Sequence, residues 1–268
     1  MSELAIFGGP SAVTLDAGDT FHWPIVTAED EAAVLDVLRR GAMSGSEITK
    51  QFEQEFAAWM GMDFALGYCN GTAALLGAMW ACGVGAGDEI ICPSMTYWAS
   101  AAPALQLGAA VNFADIEPDT LCIDPDDIAH RIGPKTKAIV VVHYAGHPCD
   151  MDRILPIAKA HGVKVIEDVS HAQGTLYKGR KVGTFGDIAP MSLMAGKSFA
   201  IGEAGIMVTN DRLLYERGIA FGFYERTGVR TAWNAADAQV TNEDLLVYAG
   251  APLGGAKHRM NQTCAAMG

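Results

Sequence analysis

Hydrophobic positions follow two alternating patterns along most of the chain from about residue 64 onward. Short apolar runs, typical of buried strands, alternate with segments in which apolar residues recur at helical spacing. The predicted strands are 64–69, 89–93, 109–115, 138–144, 164–169, 188–194 and 205–210. The predicted helices are 72–82, 97–107, 125–131, 151–161 (interrupted by Pro156) and 211–221. This alternation predicts βα units and an α/β fold with a mostly parallel sheet.

Two segments depart from this alternation. Segment 29–40 carries acids at its start and arginines at its end, which complements the dipole of a helix, and we expect this helix to pack outside the sheet. Residues 226–256 lose the alternation and gain Gly, Asn and Asp. They are predicted to form a long loop or a link between domains.

Composition mainly excludes classes of binding partner and of site. The 268 residues, 50% of them hydrophobic, suffice for the core of one large α/β domain or two unequal ones. With 19 basic and 31 acidic residues the net charge is −12, which disfavours binding to nucleic acid or to an anionic membrane. The six cysteines lie singly, without a C-x-x-C pair or a His/Cys cluster, so we expect no metal site.

The N-terminal stretch MSELAIFGGPSAV does not resemble a secretory signal. It has an acid at position 3 and Gly-Gly-Pro where a signal needs apolar residues. No apolar run is long enough to span a bilayer. Because unpaired, reduced thiols are typical of the cytoplasm, we expect a cytoplasmic protein.

Polar residues at strand ends are the first candidates for chemistry, because ligands of open parallel sheets bind beyond the carboxyl ends of the strands. In CNGTAAL (69–75), a strand ends at Asn70, Gly71 and Thr72 and a helix begins at once. Gly71 permits close approach of the backbone, and the helix N-terminus favours an anion such as phosphate. The alternative is an ordinary turn in which Asn70 or Thr72 caps the helix.

Two further stretches follow strands in the same way. In VIEDVSHAQG (165–174), Asp168 is suited to partner a protonated ring nitrogen, or it is a plain turn acid, and His171 alone is more typical of a surface or core histidine. In SLMAGKSFAIGEAG (192–205), Ser192 and Lys197 follow a strand expected beside the one that bears Asp168. Small and apolar neighbours lower the pKa of a lysine and make its free amine nucleophilic, although a chance lysine in a Gly/Ala loop is the alternative.

A phosphate cradle, an acid for a ring nitrogen and an imine-forming lysine are together the mark of pyridoxal phosphate (PLP). The segment EDVSHAQGTLYKGRKVGTFGDIAPMSLMAGKSFAIGEAGIMVTND (167–211) resembles the PLP-binding core of the DegT/StrS family of sugar aminotransferases. The resemblance extends through NGTAAL, PSMTYWAS, VHYAGHPCDMD and HRMNQTCAAMG, and so covers nearly the whole chain. It implies fold type I of the PLP-dependent transferases, a three-layer α/β/α sandwich with a mostly parallel central sheet.

The resemblance also implies a role for each matching residue. Lys197 forms the internal aldimine, a Schiff base, and Asp168 pairs with the pyridine nitrogen. His171 approaches the hydroxyl side of PLP, and Tyr97 stacks on the ring or, without the family match, is a half-buried aromatic at a helix start. The residues implied to hold the phosphate are Gly71, Thr72 and Ser192.

The chain departs from the family pattern at several positions. NGT replaces Ser-Gly-Thr in the phosphate loop, and MSLMAGK replaces a serine flanked by Phe. Ala204, in GEAG, stands where Gly is common and adds a methyl group beside the loop that carries Lys197, which we expect to narrow the substrate path. Lys257 stands where many relatives have an Asn that reaches the phosphate of the partner subunit, and it is a candidate for the same contact.

Relatives continue past HRMNQTCAAMG into a small C-terminal domain that closes the active site. The resemblance therefore implies a large PLP-binding domain with an N-terminal helical segment over 1–225. Residues 226–268 are then a loop and the incomplete start of the small domain. The family also implies a homodimer with shared active sites.

The implied reaction moves an amino group from glutamate or glutamine to a keto sugar, linked to a nucleotide, or to a keto cyclitol, by a ping-pong mechanism. Two alternatives keep PLP. One is a sugar dehydratase, in which His replaces Lys197, and the other is a catalytically impaired, PLP-binding pseudoenzyme or fragment. A nicotinamide-dependent oxidoreductase is disfavoured because no G-x-G-x-x-G follows the first strand. The sequence leaves the identity of the acceptor open.

Overall fold

The computed structural model describes residues 3–16, 18, 22–228, 239–252 and 255–268. Its helices are α1 (Ala28–Arg39), α2 (Glu47–Met60), α3 (Gly71–Ala81), α4 (Pro103–Gln106), α5 (Pro125–Arg131), α6 (Met151–His161), α7 (Arg212–Gly222) and α8 (Gln262–Met267). Its strands are β1 (Phe64–Tyr68), β2 (Glu89–Pro93), β3 (Ala110–Ala114), β4 (Thr136–Val142), β5 (Lys164–Asp168), β6 (Leu176–Tyr177), β7 (Arg180–Lys181), β8 (Ala189–Ser192) and β9 (Gly205–Thr209). None of the helices in these ranges is long and apolar enough to cross a membrane.

The central sheet consists of two groups of strands that meet between β5 and β8. In the first group β3, β2, β4 and β5 lie side by side in that order and are all parallel. In the second group β8, β9 and β1 lie side by side, and β9 runs antiparallel to both neighbours. A parallel bridge between Ile166 and Ile188 joins the groups, and the Glu167 amide donates to the Ile188 carbonyl at 3.0 Å. The predicted mostly parallel sheet is confirmed.

Both faces of this sheet are buried, because successive strand residues point to opposite sides. Val140 of β4 belongs to a buried cluster that also contains side chains of α3 and α7, such as Ile219. Its neighbour Val141 belongs to a different cluster, which contains side chains of α5 and α6, such as Ile154. The fold is the expected three-layer α/β/α sandwich.

Two predicted helices differ from the structure. The single helix predicted over 97–107 is wrong, because a 3₁₀ turn at Trp98–Ser100 is separated from α4 by Ala101, whose φ of −121° and ψ of −53° are not helical. Pro103 has no amide hydrogen with which to continue a helix through this point. In contrast, α6 continues through Pro156 without the predicted interruption, since the proline removes only one hydrogen bond of the helix.

Helix α1 confirms the prediction over 29–40, whereas α2 was not among the predicted elements. The signal for α2 was present, because Phe52, Phe56 and Met60 recur every four residues and are buried. The helix ends at Gly61, whose φ of 74° is left-handed. The short hairpin of β6 and β7 was also not predicted.

Part of the predicted loop 226–256 lies outside the described residues, namely 229–238 and 253–254. In the remainder, Glu243–Tyr248 forms a 3₁₀ helix that begins at Asn242, whose Oδ1 accepts from the Asp244 amide at 2.9 Å. Val240 and Leu245 are buried in the same cluster as side chains of α3 and α7. The division of the chain into 1–225 and 226–268 stays a prediction.

Candidate active site

A cavity of about 550 Å³ lies where the carboxyl ends of β1, β2, β4, β5 and β8 meet the N-terminus of α3. Cavities of this size hold cofactors and other small ligands. The residues that the sequence analysis selected all line it: Gly71, Thr72, Tyr97, Asp168, His171, Ser192 and Lys197. The structure thus brings these residues together, while their individual roles stay predictions.

The N-terminus of α3 forms one wall of the cavity. Asn70 caps the helix, and its Oδ1 accepts from the Ala73 amide at 2.8 Å. A Cβ atom on Gly71 would lie 2.5 Å from Cβ and 2.7 Å from Cα of Ser192. Glycine therefore lets the first turn of α3 approach the end of β8. This turn contains no acidic residue, and its amide groups are suited to bind an anion.

Asp168 is the last residue of β5 and is only 3% exposed. Its Oδ2 accepts from Ser100 Oγ at 2.7 Å, and its Oδ1 accepts from the Ser170 amide at 3.0 Å. Ser100 Oγ also lies 2.8 Å from Thr96 Oγ1. These contacts hold the carboxylate in one orientation at the wall of the cavity.

Lys197 lies in residues 193–204, which connect β8 to β9 and are called the lysine loop below. Its amide donates to the Met194 carbonyl at 2.8 Å, and its carbonyl accepts from Trp23 Nε1 at 3.0 Å. Burial lowers the pKa of the Lys197 ammonium, and the Asp168 carboxylate acts in the opposite direction. A lowered pKa increases the share of the neutral amine, the nucleophilic form, relative to that of an exposed lysine at the same pH.

His171 and Tyr97 complete the predicted set. Burial and the charge of Lys197 lower the pKa of His171, whereas Asp168 acts to raise it. The His171 ring packs edge-on against Tyr144 with 5.8 Å between centroids. Tyr97 is 57% exposed, and its ring lies 5.0 Å from that of Trp98. His171 is therefore favoured as a neutral hydrogen-bonding group, and Tyr97 lies at the open side of the cavity.

Sequence reasoning missed several cavity residues, among them Thr96, Ser100, Tyr144, Ser170, Met194 and Glu203. Thr96 and Ser100 follow β2 at the same edge of the sheet as Asp168. They could have been found by the search for polar residues after the carboxyl ends of strands. The contact of Ser170 depends on the turn after β5, for which the sequence has no signal. Lys257 is exposed and does not line the cavity of its own chain, and its contact with a partner subunit stays a prediction.

The chemistry of these groups fits PLP. The coenzyme carries an aldehyde, a basic ring nitrogen and a phosphate. The cavity offers the amine of Lys197, the carboxylate of Asp168, and the start of α3 beside the hydroxyls of Thr72 and Ser192. Among the described residues there is no group of three or more His, Cys, Asp or Glu side chains suited to a metal ion.

Comparison with known proteins identifies the family. The model of the DegT/DnrJ/EryC1/StrS aminotransferase family matches residues 24–268. The chain belongs to this family. GDP-perosamine synthase from Escherichia coli O157:H7 is 38% identical to it over 249 residues, which are 92% of this chain and 64% of that protein.

The chain is also similar to a second relative in sequence and to a solved structure. L-glutamine:2-deoxy-scyllo-inosose aminotransferase from Streptomyces kanamyceticus is 41% identical over 202 residues, which are 73% of this chain and 47% of that protein. The PLP-form of the putative sugar aminotransferase Spr1654 from Streptococcus pneumoniae has a TM-score of 0.76 at 26% identity, over 92% of this chain and 64% of that one. The chain spans about half to two thirds of the length of these proteins.

Proposed function

We propose that the protein is a PLP-dependent aminotransferase that moves an amino group from glutamate or glutamine to a nucleotide-linked keto sugar or a keto cyclitol. The observation that carries the proposal is that Lys197, Asp168 and the start of α3 line one cavity. Each has a counterpart on PLP, and transamination is the established reaction of the family to which the chain belongs.

Each cavity group has a defined part in holding the coenzyme. The amides at the start of α3, with the hydroxyls of Thr72 and Ser192, bind the phosphate. Asp168 would accept a hydrogen bond from the protonated ring nitrogen, and Lys197 Nζ would condense with the aldehyde carbon with release of water. His171 approaches the ring hydroxyl and Tyr97 covers the ring. When bound, PLP supplies a ring that accepts the electron pair left when the Cα–H bond of the amino donor breaks.

Lys197 Nζ is the group that moves the proton in this proposal. Once the incoming amine has displaced it, the neutral Nζ would remove the proton from the α-carbon of the donor as a base and, as an acid, deliver it to the former aldehyde carbon of the coenzyme. Burial, which lowers the pKa of Lys197, favours the neutral form that the first of these steps needs. In the second half of the ping-pong reaction, Lys197 Nζ would move a proton in the opposite direction, from the coenzyme carbon to the carbon that receives the amino group on the acceptor.

Asp168 keeps a proton on the ring nitrogen and thereby makes the ring a better electron acceptor. Its two hydrogen bonds, from Ser100 Oγ and the Ser170 amide, keep the carboxylate from turning away. The interaction strengthens as charge develops on the ring, so it acts mainly in the transition state.

The names of two relatives support the proposed substrates. One relative is named for a GDP-linked sugar, and the name of the other specifies glutamine as its donor and an inosose as its acceptor. The first supports a nucleotide-linked keto sugar as acceptor, and the second supports a keto cyclitol and an amide donor.

We also propose that residues 1–225 are the large PLP-binding domain, that 226–268 begin the small domain, and that two chains form a homodimer with shared sites. In that dimer Lys257 reaches the phosphate of the partner subunit. Exposed apolar side chains before α1 support an interface there, because such patches are typical of protein contacts. They are Leu4, Ile6, Phe7, Val13, Leu15, Trp23, Ile25 and Val26.

Incubation of the purified protein with PLP tests the central proposal. We expect a yellow protein in which borohydride fixes PLP to the peptide that contains Lys197, detected by mass spectrometry. Lys197→Ala abolishes the fixed adduct, while Lys137→Ala, which removes an exposed lysine outside the cavity, leaves it unchanged. A colourless wild type, or an equal adduct in Lys197→Ala, overturns the proposal.

Addition of glutamate or glutamine to the PLP-loaded protein then separates an aminotransferase from a PLP-binding pseudoenzyme. An aminotransferase loses its yellow absorbance as the amino group moves to the coenzyme, and a keto acid is released in equal amount. A protein that keeps the colour with both donors is a PLP-binding protein without this activity.

A further inference from the structure

The lysine loop is closed at its base but exposed at its tip. The Leu193 amide donates to the Ala204 carbonyl at 2.9 Å, and the Ile201 amide donates to the Leu193 carbonyl at 3.0 Å. Between these bonds, residues 194–196 are exposed and include Gly196. The position of Lys197 therefore depends on the hydrogen bond from its amide to Met194 within the loop and on contacts from outside the loop.

One such contact comes from the side-chain amide of Gln173. Its Oε1 accepts from Ser198 Oγ at 2.6 Å. Its Nε2 donates to the Ser192 carbonyl at 2.7 Å and to the Ser170 carbonyl at 3.2 Å. A single side chain thus joins the residue after Lys197, the end of β8 and the turn after β5.

The same turn carries Asp168. The Ser170 amide donates to Asp168 Oδ1 at 3.0 Å, and Ser170 Oγ accepts from the Ser192 amide at 2.9 Å. A continuous set of hydrogen bonds therefore runs from Asp168 through Ser170 and Gln173 to Ser198, the neighbour of Lys197.

We infer that Gln173 and Ser198 form a brace that sets the position of the Lys197 amine relative to the Asp168 carboxylate. Both are positioning residues, since neither lines the cavity in which the coenzyme is proposed to bind. The inference rests on the proposed function for its catalytic consequence, but the brace itself is a property of the chain alone.

The chemistry of the brace requires an amide. Gln173 accepts one hydrogen bond and donates two, which neither a carboxylate nor an apolar side chain of the same length can do. Gln173→Glu would set acceptor oxygens against the carbonyls of Ser192 and Ser170. Gln173→Met removes every polar contact at nearly constant volume. Ser198→Ala removes only the bond to the lysine loop, and Ser198→Thr keeps the hydroxyl at an exposed position.

Loss of the brace should affect proton transfer more than binding. Lys197 Nζ must reach the donor's α-carbon in a defined geometry, and a misplacement of about 1 Å costs on the order of 100-fold in rate. For Ser198→Ala and Gln173→Met we expect the rate of the half reaction with glutamate to fall about 10- to 100-fold. The KM for glutamate should change little, and Ser198→Thr should behave as wild type.

The cofactor-free protein offers an independent measurement. Labelling with acetic anhydride at a series of pH values, with the exposed Lys137 as internal reference, reports the pKa of Lys197. Burial lowers this pKa in the braced loop. A freed loop exposes the amine more, so the midpoint of the Lys197 labelling curve should move to higher pH in Ser198→Ala and Gln173→Met, and stay in place in Ser198→Thr.

The outcomes separate the brace from the proposed function. Unchanged labelling curves and half-reaction rates in folded Ser198→Ala and Gln173→Met, with thermal unfolding as the check of folding, overturn the brace. If wild type forms no borohydride-stable adduct with PLP, the proposed function fails. In that case the shift of the labelling curve alone supports or overturns the brace.

Discussion

Asp168 and Lys197 line one cavity, and their surroundings act on them differently. Two hydrogen bonds hold the Asp168 carboxylate, from Ser100 Oγ at 2.7 Å and the Ser170 amide at 3.0 Å. For Lys197 the main influence is burial, which lowers the pKa of the amine. At the scale of single residues, hydrogen bonds orient the acid, and burial shifts the pKa of the amine in the direction that a nucleophile needs.

Asp168→Asn tests the part of this arrangement that acts on the ring nitrogen. Asparagine keeps the shape of the side chain but cannot keep a proton on the ring, so PLP should bind while transamination falls on the order of 1,000-fold. Absorbance titration with PLP and single-turnover reaction with glutamate measure the two effects. Asp63→Asn, at an exposed site outside the cavity, is the control. Near-normal turnover would remove Asp168 from the mechanism.

Gly71→Ala tests the approach of α3 to the end of β8. The added methyl carbon would lie only 2.5 Å from Cβ of Ser192, so the helix start must move away. Overpacking of this kind costs about 1–3 kcal/mol, and we expect PLP affinity to fall about 10- to 100-fold. Gly133→Ala, where an added Cβ meets no atom within 4 Å, is the matched control in an absorbance titration. Equal affinity for PLP in the two variants contradicts a phosphate site at Gly71.

The residues of the candidate site were predictable where they follow buried strands. Asp168 and Ser192 end apolar runs, and Lys197 lies among small residues, so the local sequence carries their signal. Gln173 carries no comparable signal, and although Ser100 follows β2, the sequence does not show which group its hydroxyl contacts. Ser100 is 68 positions from the carboxylate that it contacts, and only the fold brings such pairs together.

At the scale of elements, α2 links the edge of the sheet to the segment after α7. Glu53 of α2 accepts from the Gly67 amide of β1 at 2.6 Å and from Arg226 Nη1 at 2.7 Å. Arg226 is only 1% exposed. A buried guanidinium is costly to leave without its partner charge, so this pair couples the two elements.

Glu53→Gln tests that coupling. Glutamine keeps the size of the side chain but removes the carboxylate that pairs with Arg226 at 2.7 Å, which should lower the free energy of unfolding by about 3 kcal/mol. Urea unfolding of the cofactor-free protein measures the change. Glu55→Gln alters an exposed acid of the same helix and should cost less than about 1 kcal/mol. Equal effects of the two variants would show that the buried charge is not what couples α2 to Arg226.

The elements were predictable to the extent that one local pattern dominated each of them. Residues 138–142 of β4, for example, form a continuous buried apolar run because both faces of the sheet are covered. Segment 97–107 has helical spacing, but the backbone at Ala101 and the missing amide hydrogen of Pro103 divide it. The spacing of apolar residues indicates which residues are buried, but it does not indicate where the backbone of a helix is interrupted.

At the scale of the whole molecule, strand order decides which residues meet. The contact of β5 with β8 brings Asp168 and Ser192 to the same edge of the sheet. Because β9 is antiparallel to β8 and begins beside the end of β8, the lysine loop between them lies at this edge too. The sequence predicted parallel strands and the neighbourhood of these two residues. It did not predict the reversed direction of β9 or the position of β1 at the edge, because both depend on pairing between distant segments.

The exposed apolar segment 23–26 is the surface at which we expect a second chain to bind. Trp23 Nε1 donates to the carbonyl of Lys197, so a surface that covers this segment lies beside the lysine loop and the cavity. A homodimer that buries the segment would therefore influence both active sites, as expected for sites shared across an interface. Ile25, which is 71% exposed, is the residue at which to test this.

Sedimentation of the wild type should give a species of twice 28.3 kDa, and Ile25→Glu should shift it towards the monomer, because a buried carboxylate without a partner charge weakens an apolar interface. Leu176→Glu places the same charge on the hairpin β6, at a leucine that is 56% exposed, and should leave the dimer intact. If the interface also supports the lysine loop, the Ile25→Glu protein loses transamination in proportion to its monomer fraction and regains it at high protein concentration. A wild-type monomer with full activity contradicts the shared site, and equal dissociation by both variants places the interface elsewhere.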